Sequence, residues 1–261
     1  MIVVKFGGHA MKDENGNFAK AISAALAQGE KVVVVHGGGP QIDAALKAKS
    51  ITSDWIGGFR VTTKEIFDVV EDVLVNQVGQ QVAATLRASG IQAQAVSARE
   101  LPTVVAKRRT TLIDGTPADL GYVGEVASVD PTQLLALLES GVVPVVAPVS
   151  SAEDLKTGLN VNADFAAAAI AAALQASALI VMTDVAGIYR NWPDTSSLID
   201  HISAAELESI KAGFAQGMAP KVQAALDALS FGANAVRIID GTDPDSFASA
   251  LAGQGGTLVV A

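Results

Sequence analysis

Two lysines, an aspartate and clustered glycines carry the chemistry this sequence offers. Lys5 closes an apolar run and is followed, after Phe6, by Gly7 and Gly8. In open parallel sheets ligands gather at the carboxyl ends of strands, and glycine lets a backbone come close to a phosphate. A lysine that only snorkels out of a strand end would have no use for the glycine pair. His36-Gly37-Gly38-Gly39-Pro40 follows the Val32–Val35 run and leads into a helical stretch. Three consecutive glycines there present successive N–H groups to an anion, and the helix N-terminus adds a favourable field; a tight turn would need only one. Ile42 stands where a dinucleotide fingerprint needs its third glycine, and no G-x-x-x-x-G-K-[ST] occurs, so neither nucleotide motif is present.

Asn160, Asn162 and Asp164 alternate just before an alanine-rich stretch, which puts them on one face if the segment is extended. Asp164 alone could be an ordinary N-cap. Two amides and a carboxylate on one face can hold a polar ligand and orient lysines, and a buried strand gains nothing from them. Pro220-Lys221 opens a helix, and a cation in a first turn opposes the helix dipole, so a nearby anion is the simplest compensation. Arg60, after Gly57-Gly58-Phe59, can clamp a carboxylate bidentately or stand as a solvated loop arginine. Thr183-Asp184 ends an apolar run before Val185–Tyr189, a position suited to nucleotide contacts, although Asp184 equally suits a turn.

Positioning these groups requires a sheet. Apolar runs ending in glycine-rich turns alternate with amphipathic helical stretches, which predicts an α/β fold: a mainly parallel central sheet covered by helices on both faces, in three αβα layers. With 261 residues, two lobes sharing that sheet are expected, residues 1–175 and 176–261. Predicted strands include Met1–Phe6, Lys31–Val35, Val142–Val149, Leu179–Thr183 and an edge strand Thr257–Val260. Thr62 and Glu65 read as a capping box for a long helix running to about Ser89. Phe165–Met182 reads as a buried helix followed by a strand, since its character changes from alanine-rich to Leu-Ile-Val. A formal charge of -9 argues against nonspecific attraction to nucleic acid or an anionic membrane, so any phosphate site must be local. There is no cysteine, and His9, His36 and His201 are scattered, which disfavours a zinc site. No secretory pattern precedes the first strand, and a cytoplasmic location is expected.

Taken in order, Lys5–Gly8, His36–Pro40, Asn160–Asp164, Thr183–Tyr189, Gly217–Lys221 and Gly255-Gly256-Thr257 resemble the amino acid kinase family over nearly the whole chain. Gly7–Met11, Gly58–Thr62, Asp119–Gly124 and Asn160–Asp164 are similar to the members that phosphorylate the side-chain carboxylate of N-acetyl-L-glutamate with MgATP. The product of that reaction is N-acetylglutamyl 5-phosphate, in arginine biosynthesis. The resemblance implies that Lys5 and Lys221 neutralise the transferring phosphoryl group and that Asp164 orients them. It implies that Arg60, Asn160, Gly38 and Gly39 hold N-acetyl-L-glutamate, and that Gly7, Gly8, Thr183, Tyr189 and Met218 serve ATP. It implies Mg²⁺ carried by the nucleotide, with no dedicated protein metal cage. It also implies a homodimer built around the long helix after Thr62. Arginine-inhibited members carry an extra N-terminal helix, so insensitivity to arginine is expected. A relative acting on another acyl acceptor, or a nucleotide-binding paralogue without catalysis, are the alternatives; the presence of Lys5, Lys221 and Asp164 together speaks against the second. A carboxylate is already nucleophilic at neutral pH, so no general base is required.

Overall fold

The computed structural model describes residues 1–7, 16–214, 218–243 and 245–261. In chain order its elements are β1 (Ile2–Phe6), α1 (Asn17–Ala27), β2 (Val32–His36), α2 (Gly39–Ala48), the short strands β3 (Trp55–Ile56) and β4 (Phe59–Arg60), and then a long helix. That helix comprises α3 (Lys64–Glu71), a π-helical segment (Asp72–Val78) and α4 (Gly79–Ala88). There follow β5 (Ala93–Ser97), β6 (Val104–Arg108), β7 (Val123–Val129), α5 (Thr132–Glu139), β8 (Val143–Ala147), β9 (Val149–Ala152), β10 (Gly158–Val161) and α6 (Ala163–Ala173). The last third holds β11 (Ala178–Thr183), β12 (His201–Ser203), α7 (Ala204–Ile210), α8 (Ala219–Ser230), β13 (Ala235–Asp240), α9 (Ser246–Leu251) and β14 (Thr257–Val260).

The main sheet has eight strands in the order β12-β14-β13-β11-β1-β2-β8-β5. Its pairs are parallel except β13 with β14. β1 and β2 are buried throughout, because helices cover both faces, and they accordingly read as valine runs rather than as alternating strands. Alternate residues feed two cores. Val4 packs with Phe18 of α1, Val70 of α3, Leu86 of α4 and Phe247 of α9 on one face, while Val3 packs with Leu134 of α5, Ile170 of α6 and Val222 of α8 on the other. This is the predicted three-layer α/β arrangement. Each fully buried valine or leucine contributes about 1.5–3 kcal/mol. α6 is mostly alanine, seven of its residues are buried, and it packs on the sheet beside α8 without bulky side chains to hold the two helices apart.

Beside the sheet, β10, β7, β6 and β9 close into a four-stranded ring. The predicted Val142–Val149 strand is therefore two strands: it leaves the main sheet after Ala147, and Pro148, which has no N–H to donate, marks the change of partner. β14 is not an edge strand, since β12 pairs outside it; three residues including His201 and Ser203 carry too little apolar pattern to be read as a strand. The long helix forms as expected, but its cap is Thr63, whose Oγ1 accepts from Ile66 N–H, and not Thr62. Within it, Gly79 N–H bonds the carbonyl of Leu74, five residues back. Among the described residues no helix is long and apolar enough to cross a membrane.

Because β1 lies at the middle of the sheet, with β2 on one side and β11 on the other, the chain runs outward in both directions from this point. Such a switch leaves a crevice at the carboxyl ends of the strands. Lys5, with Val35 and Val181 as its register partners, comes out beside that crevice.

Candidate active site

A cleft of about 1010 Å³ opens there, lined among others by Lys5, Gly38, Arg60, Asn160, Asp164 and Lys221. Its floor is an ion cluster. Lys5 Nζ lies 3.0 Å from Asp164 Oδ1, and Lys221 Nζ lies 3.0 Å from Asp164 Oδ2. One carboxylate thus holds two ammonium groups that would otherwise repel each other. Asp164 stands in the first turn of α6, and Lys221 in the first turn of α8, just after Pro220. Two positive helix ends converge with two lysines on one buried carboxylate, so the locus stays electropositive in a chain of net charge -9. Burial by itself would raise the Asp164 carboxyl, but Lys221 and Lys5 override it and hold the group well below the usual carboxylate range. Asp164 in turn raises Lys221 against the cost of burial. Lys5 is pushed below its ordinary value, because its burial outweighs what Asp164 restores and Lys221 adds to the lowering.

The expected extended face over Asn160–Asp164 does not form. β10 ends at Val161, and Asn162 becomes the N-cap of α6, its Oδ1 accepting from Asp164 N–H at 2.8 Å. That cap is what starts the helix at Ala163 and turns Asp164 inward towards the lysines.

Side chains in place of the glycines would crowd the loops that close on the cluster. A Cβ at Gly7 would lie 2.9 Å from Lys5 Nζ, and one at Gly38 would lie 2.6 Å from Cδ2 of Leu74 in the π segment. Gly37 N–H donates to Phe6 O at 2.8 Å, tying the ends of β1 and β2 together. Gly39 opens α2 with free space beside it, so the first turn of α2 faces the cleft. Gly8 lies outside the described residues, as do His9, Met11 and Gly217. His36 is fully buried and is not among the residues lining the cleft; its Nδ1 lies 2.9 Å from Gly37 O, and burial lowers its pKa to about 4.

One wall of the cleft is polar and tightly tied. Arg60 is 5% exposed, with Nη1 donating to Ser53 Oγ and Nη2 to Asp43 Oδ1, both at 2.7 Å. Asn160 Nδ2 donates to Thr62 Oγ1 at 3.1 Å, and Thr62 Oγ1 donates to Arg60 O at 2.8 Å. Thr62 is held in turn by the segment before β7: its N–H donates to Leu120 O, and its carbonyl accepts from Tyr122 N–H at 2.7 Å. Gly121 permits this approach, since its φ is +67° and a Cβ there would lie 2.3 Å from Thr62 O.

The opposite wall is aromatic and open. Thr183 ends β11, and its Oγ1 donates to Asp184 Oδ1 at 3.1 Å. Tyr189 meets Trp192 edge to face at 5.2 Å between ring centres, and both line the cleft together with Phe214 and Met218. Trp192 is 61% exposed. Gly255-Gly256-Thr257, by contrast, serves structure: Thr257 Oγ1 accepts from Ile188 N–H and donates to Ile199 O, fastening the loop that carries Tyr189.

Of the residues singled out from the sequence, Lys5, Gly7, Gly38, Gly39, Arg60, Asn160, Asp164, Thr183, Tyr189, Met218 and Lys221 all line this one cleft. Sequence reasoning missed Thr62 as a tie between walls, Asp43 and Trp55 around Arg60, Leu74 against the glycine loop, and Trp192. An aromatic in a loop beside Tyr189 was a usable signal for Trp192; the others are recognisable only by their partners.

Residues 1–240 match the model of the amino acid kinase family. Acetylglutamate kinase of Beutenbergia cavernae is 46% identical over 247 residues, covering 94% of this chain and 79% of that one. Acetylglutamate kinase of Corynebacterium glutamicum is 41% identical over 258 residues, covering 98% and 87%. A solved structure from Streptococcus mutans superposes with a TM-score of 0.83 at 29% identity, covering 99% of this chain and 98% of that one.

Proposed function

We infer, from the premise that the chain belongs to the amino acid kinase family, that it transfers the γ-phosphoryl group of ATP to the side-chain carboxylate of N-acetyl-L-glutamate. The observation that carries the mechanism is the pair of ammonium groups, Lys5 buried and Lys221 half-buried, sharing Asp164 at the foot of the cleft. The reaction brings together two anions, and its barrier is dominated by their repulsion and by charge spreading over the phosphoryl oxygens. Lys5 and Lys221 meet that charge from fixed positions, and no solvent need reorganise around them. Asp164 is the positioning residue that keeps both cations charged and apart. The N–H groups of the Gly38–Gly39 turn and the first turn of α2 face the same space, suited to the acceptor carboxylate as it gains the phosphoryl group. No side chain has to remove a proton, which agrees with His36 lying behind the glycine loop.

Arg60 and Asn160 fall on the acceptor side, with Gly38 and Gly39, within residues 1–175. Thr183, Tyr189 and Met218 fall on the nucleotide side, within 176–261, and Gly7, at the end of β1, serves the nucleotide phosphates. Magnesium bound to the nucleotide would supply further neutralisation of its phosphates. Among the described residues no three His, Cys, Asp or Glu side chains cluster to hold a metal, and the Asp164 carboxylate is engaged by both lysines, so the donor set suits an ion that arrives with the nucleotide. We assign a homodimer built on the α3–α4 helix; twice the chain mass in light scattering supports it, and the monomer mass overturns it.

Incubation with MgATP, the acceptor and hydroxylamine traps an acyl phosphate as a coloured hydroxamate. Signal with N-acetyl-L-glutamate above glutamate, aspartate and N-acetylaminoadipate, lost in Lys221→Ala, is the expected result. A stronger signal with another of these acceptors would move the substrate, and silence with all four would overturn the kinase reading.

A further inference from the structure

Arg60 is oriented by groups that the cleft itself does not contain. Arg60, Trp55 and Ile42 line the cleft, whereas Asp43 and Ser53 do not. The guanidinium lies 4.6 Å from the Trp55 ring centre, so the indole covers one face of its plane. Ser53 Oγ and Asp43 Oδ1 accept from Nη1 and Nη2, each at 2.7 Å. Two of the five guanidinium N–H donors are thereby used outside the cleft, and the rest remain for a ligand. The Asp43 side chain is 60% exposed while that of Arg60 is 4% exposed, so solvent screens the carboxylate and the cation is held rigidly. Asp43 also follows Ile42 on α2, the helix that opens at Gly39. Arg60 sits on β4, opposite Trp55 in the β3–β4 hairpin. The Asp43–Arg60 pair therefore fastens the hairpin that bears the carboxylate clamp to the helix whose N-terminus faces the reacting carboxylate. It sets the spacing between the two points at which a dicarboxylic acceptor would be held.

We propose that Asp43 is a positioning residue for the acceptor: it fixes Arg60 relative to the α2 N-terminus, so that the clamp selects an acceptor bearing a second carboxylate at the correct span. This rests on the acceptor reading above. Asp43 does not stand in for the substrate carboxylate, because it lies beside the cleft and not within it. Removing it loosens Arg60; the negative charge lost with it acts in the opposite direction, but from an exposed and screened position.

The test compares N-acetyl-L-glutamate with 4-acetamidobutanoate, the same molecule with its α-carboxylate replaced by hydrogen, in the wild-type protein, Asp43→Ala and Asp43→Asn. In Asp43→Ala the KM for N-acetyl-L-glutamate rises about tenfold, as expected for loss of one hydrogen bond to a charged group. The kcat falls much less, and the preference for N-acetyl-L-glutamate over the analogue shrinks by the same factor as KM rises. Asp43→Asn keeps an oxygen acceptor for Nη2 and restores most of the preference. An unchanged or lowered KM in Asp43→Ala overturns the proposal, as does an equal loss of kcat with both acceptors, which would mark a merely structural role. A wild-type protein with no preference for N-acetyl-L-glutamate over the analogue overturns the acceptor reading and the role of Asp43 with it. A wild-type preference that survives intact in Asp43→Ala overturns the role of Asp43 alone.

Discussion

Where β4 and β10 border the cleft, Arg60, Thr62 and Asn160 are joined by hydrogen bonds between side chains and backbone, and Arg60 and Thr62 are buried. Across the cleft, Tyr189 and Trp192 touch only edge to face, and the larger ring stays in solvent. The first wall is ordered before any ligand arrives, so the entropy and desolvation of its polar groups are already accounted for in folding. The second wall keeps apolar area exposed, which stabilises a flat ligand only when it is covered. Recognition of a small, doubly charged acceptor requires fixed directions, whereas a purine needs mainly a surface. The ion cluster lies between the two walls and belongs to neither, since Lys5 comes from β1, Asp164 from α6 and Lys221 from α8.

The largest expected effect is therefore at the cluster. Lys221→Ala should lower kcat by about 10²–10³-fold, the range for losing one donor to a developing oxyanion, with acceptor and nucleotide KM changing far less. Turnover near wild type in single-turnover measurements would remove Lys221 from the chemistry.

The buried His36 behind the acceptor loop gives a second, pH-dependent handle. Its pKa of about 4 lies below the ordinary 6.5 because burial disfavours the charged ring. Between these values the unfolded chain binds a proton that the folded chain does not, so stability is complete above pH 6.5 and falls as pH drops towards 4. The loss reaches about 3 kcal/mol. Asp164, held low by its lysines, adds stability that persists down to the unfolded carboxylate pKa of about 4 and is lost only below it. Asp227, raised by burial, takes up its proton above that value and opposes the His36 slope, so the His36 share is read from the difference between wild type and variant. His36→Asn should flatten the slope of Tm against pH in that window; an unaltered slope would place the titration elsewhere.

Arg60→Ala should raise KM for N-acetyl-L-glutamate about 30-fold, through loss of a charge-assisted pair, and leave KM for ATP within a factor of about two. Trp192→Ala should do the reverse on a smaller scale, raising KM for ATP about fivefold through lost ring contact. Equal effects of either variant on both substrates would break the division of the cleft into two walls.

The glycine runs and Lys221 were legible in the sequence because each violates a local expectation, and Asp164 because it stands with Asn160 and Asn162 at alternate positions. Three glycines exceed what a turn needs, and a cation opposes its own helix at Lys221. The alternation of valine runs with amphipathic helices likewise led to the layered sheet. Less was visible where two local signals overlap. Thr62 has Glu65 at capping-box spacing whereas Thr63 has Ile66 there, yet the backbone makes Thr63 the cap of α3 while Thr62 reaches Asn160. The Val142–Val149 run gives no sign of changing sheets except Pro148.

By itself the sequence determined which residue types were available and the period in which they recur: the parallel sheet, the glycine-rich turns, and cations that require a counter-charge. Only the tertiary structure decided that Asp164 is that counter-charge for both lysines, 57 residues from one of them, and that Asp43 and Ser53 hold Arg60. The physical reason is one of range. Propensity, capping and amphipathic pattern act within a few residues along the chain, whereas pairing of buried charges depends on distance in space, which is set only once β1, α6 and α8 have packed around a common core.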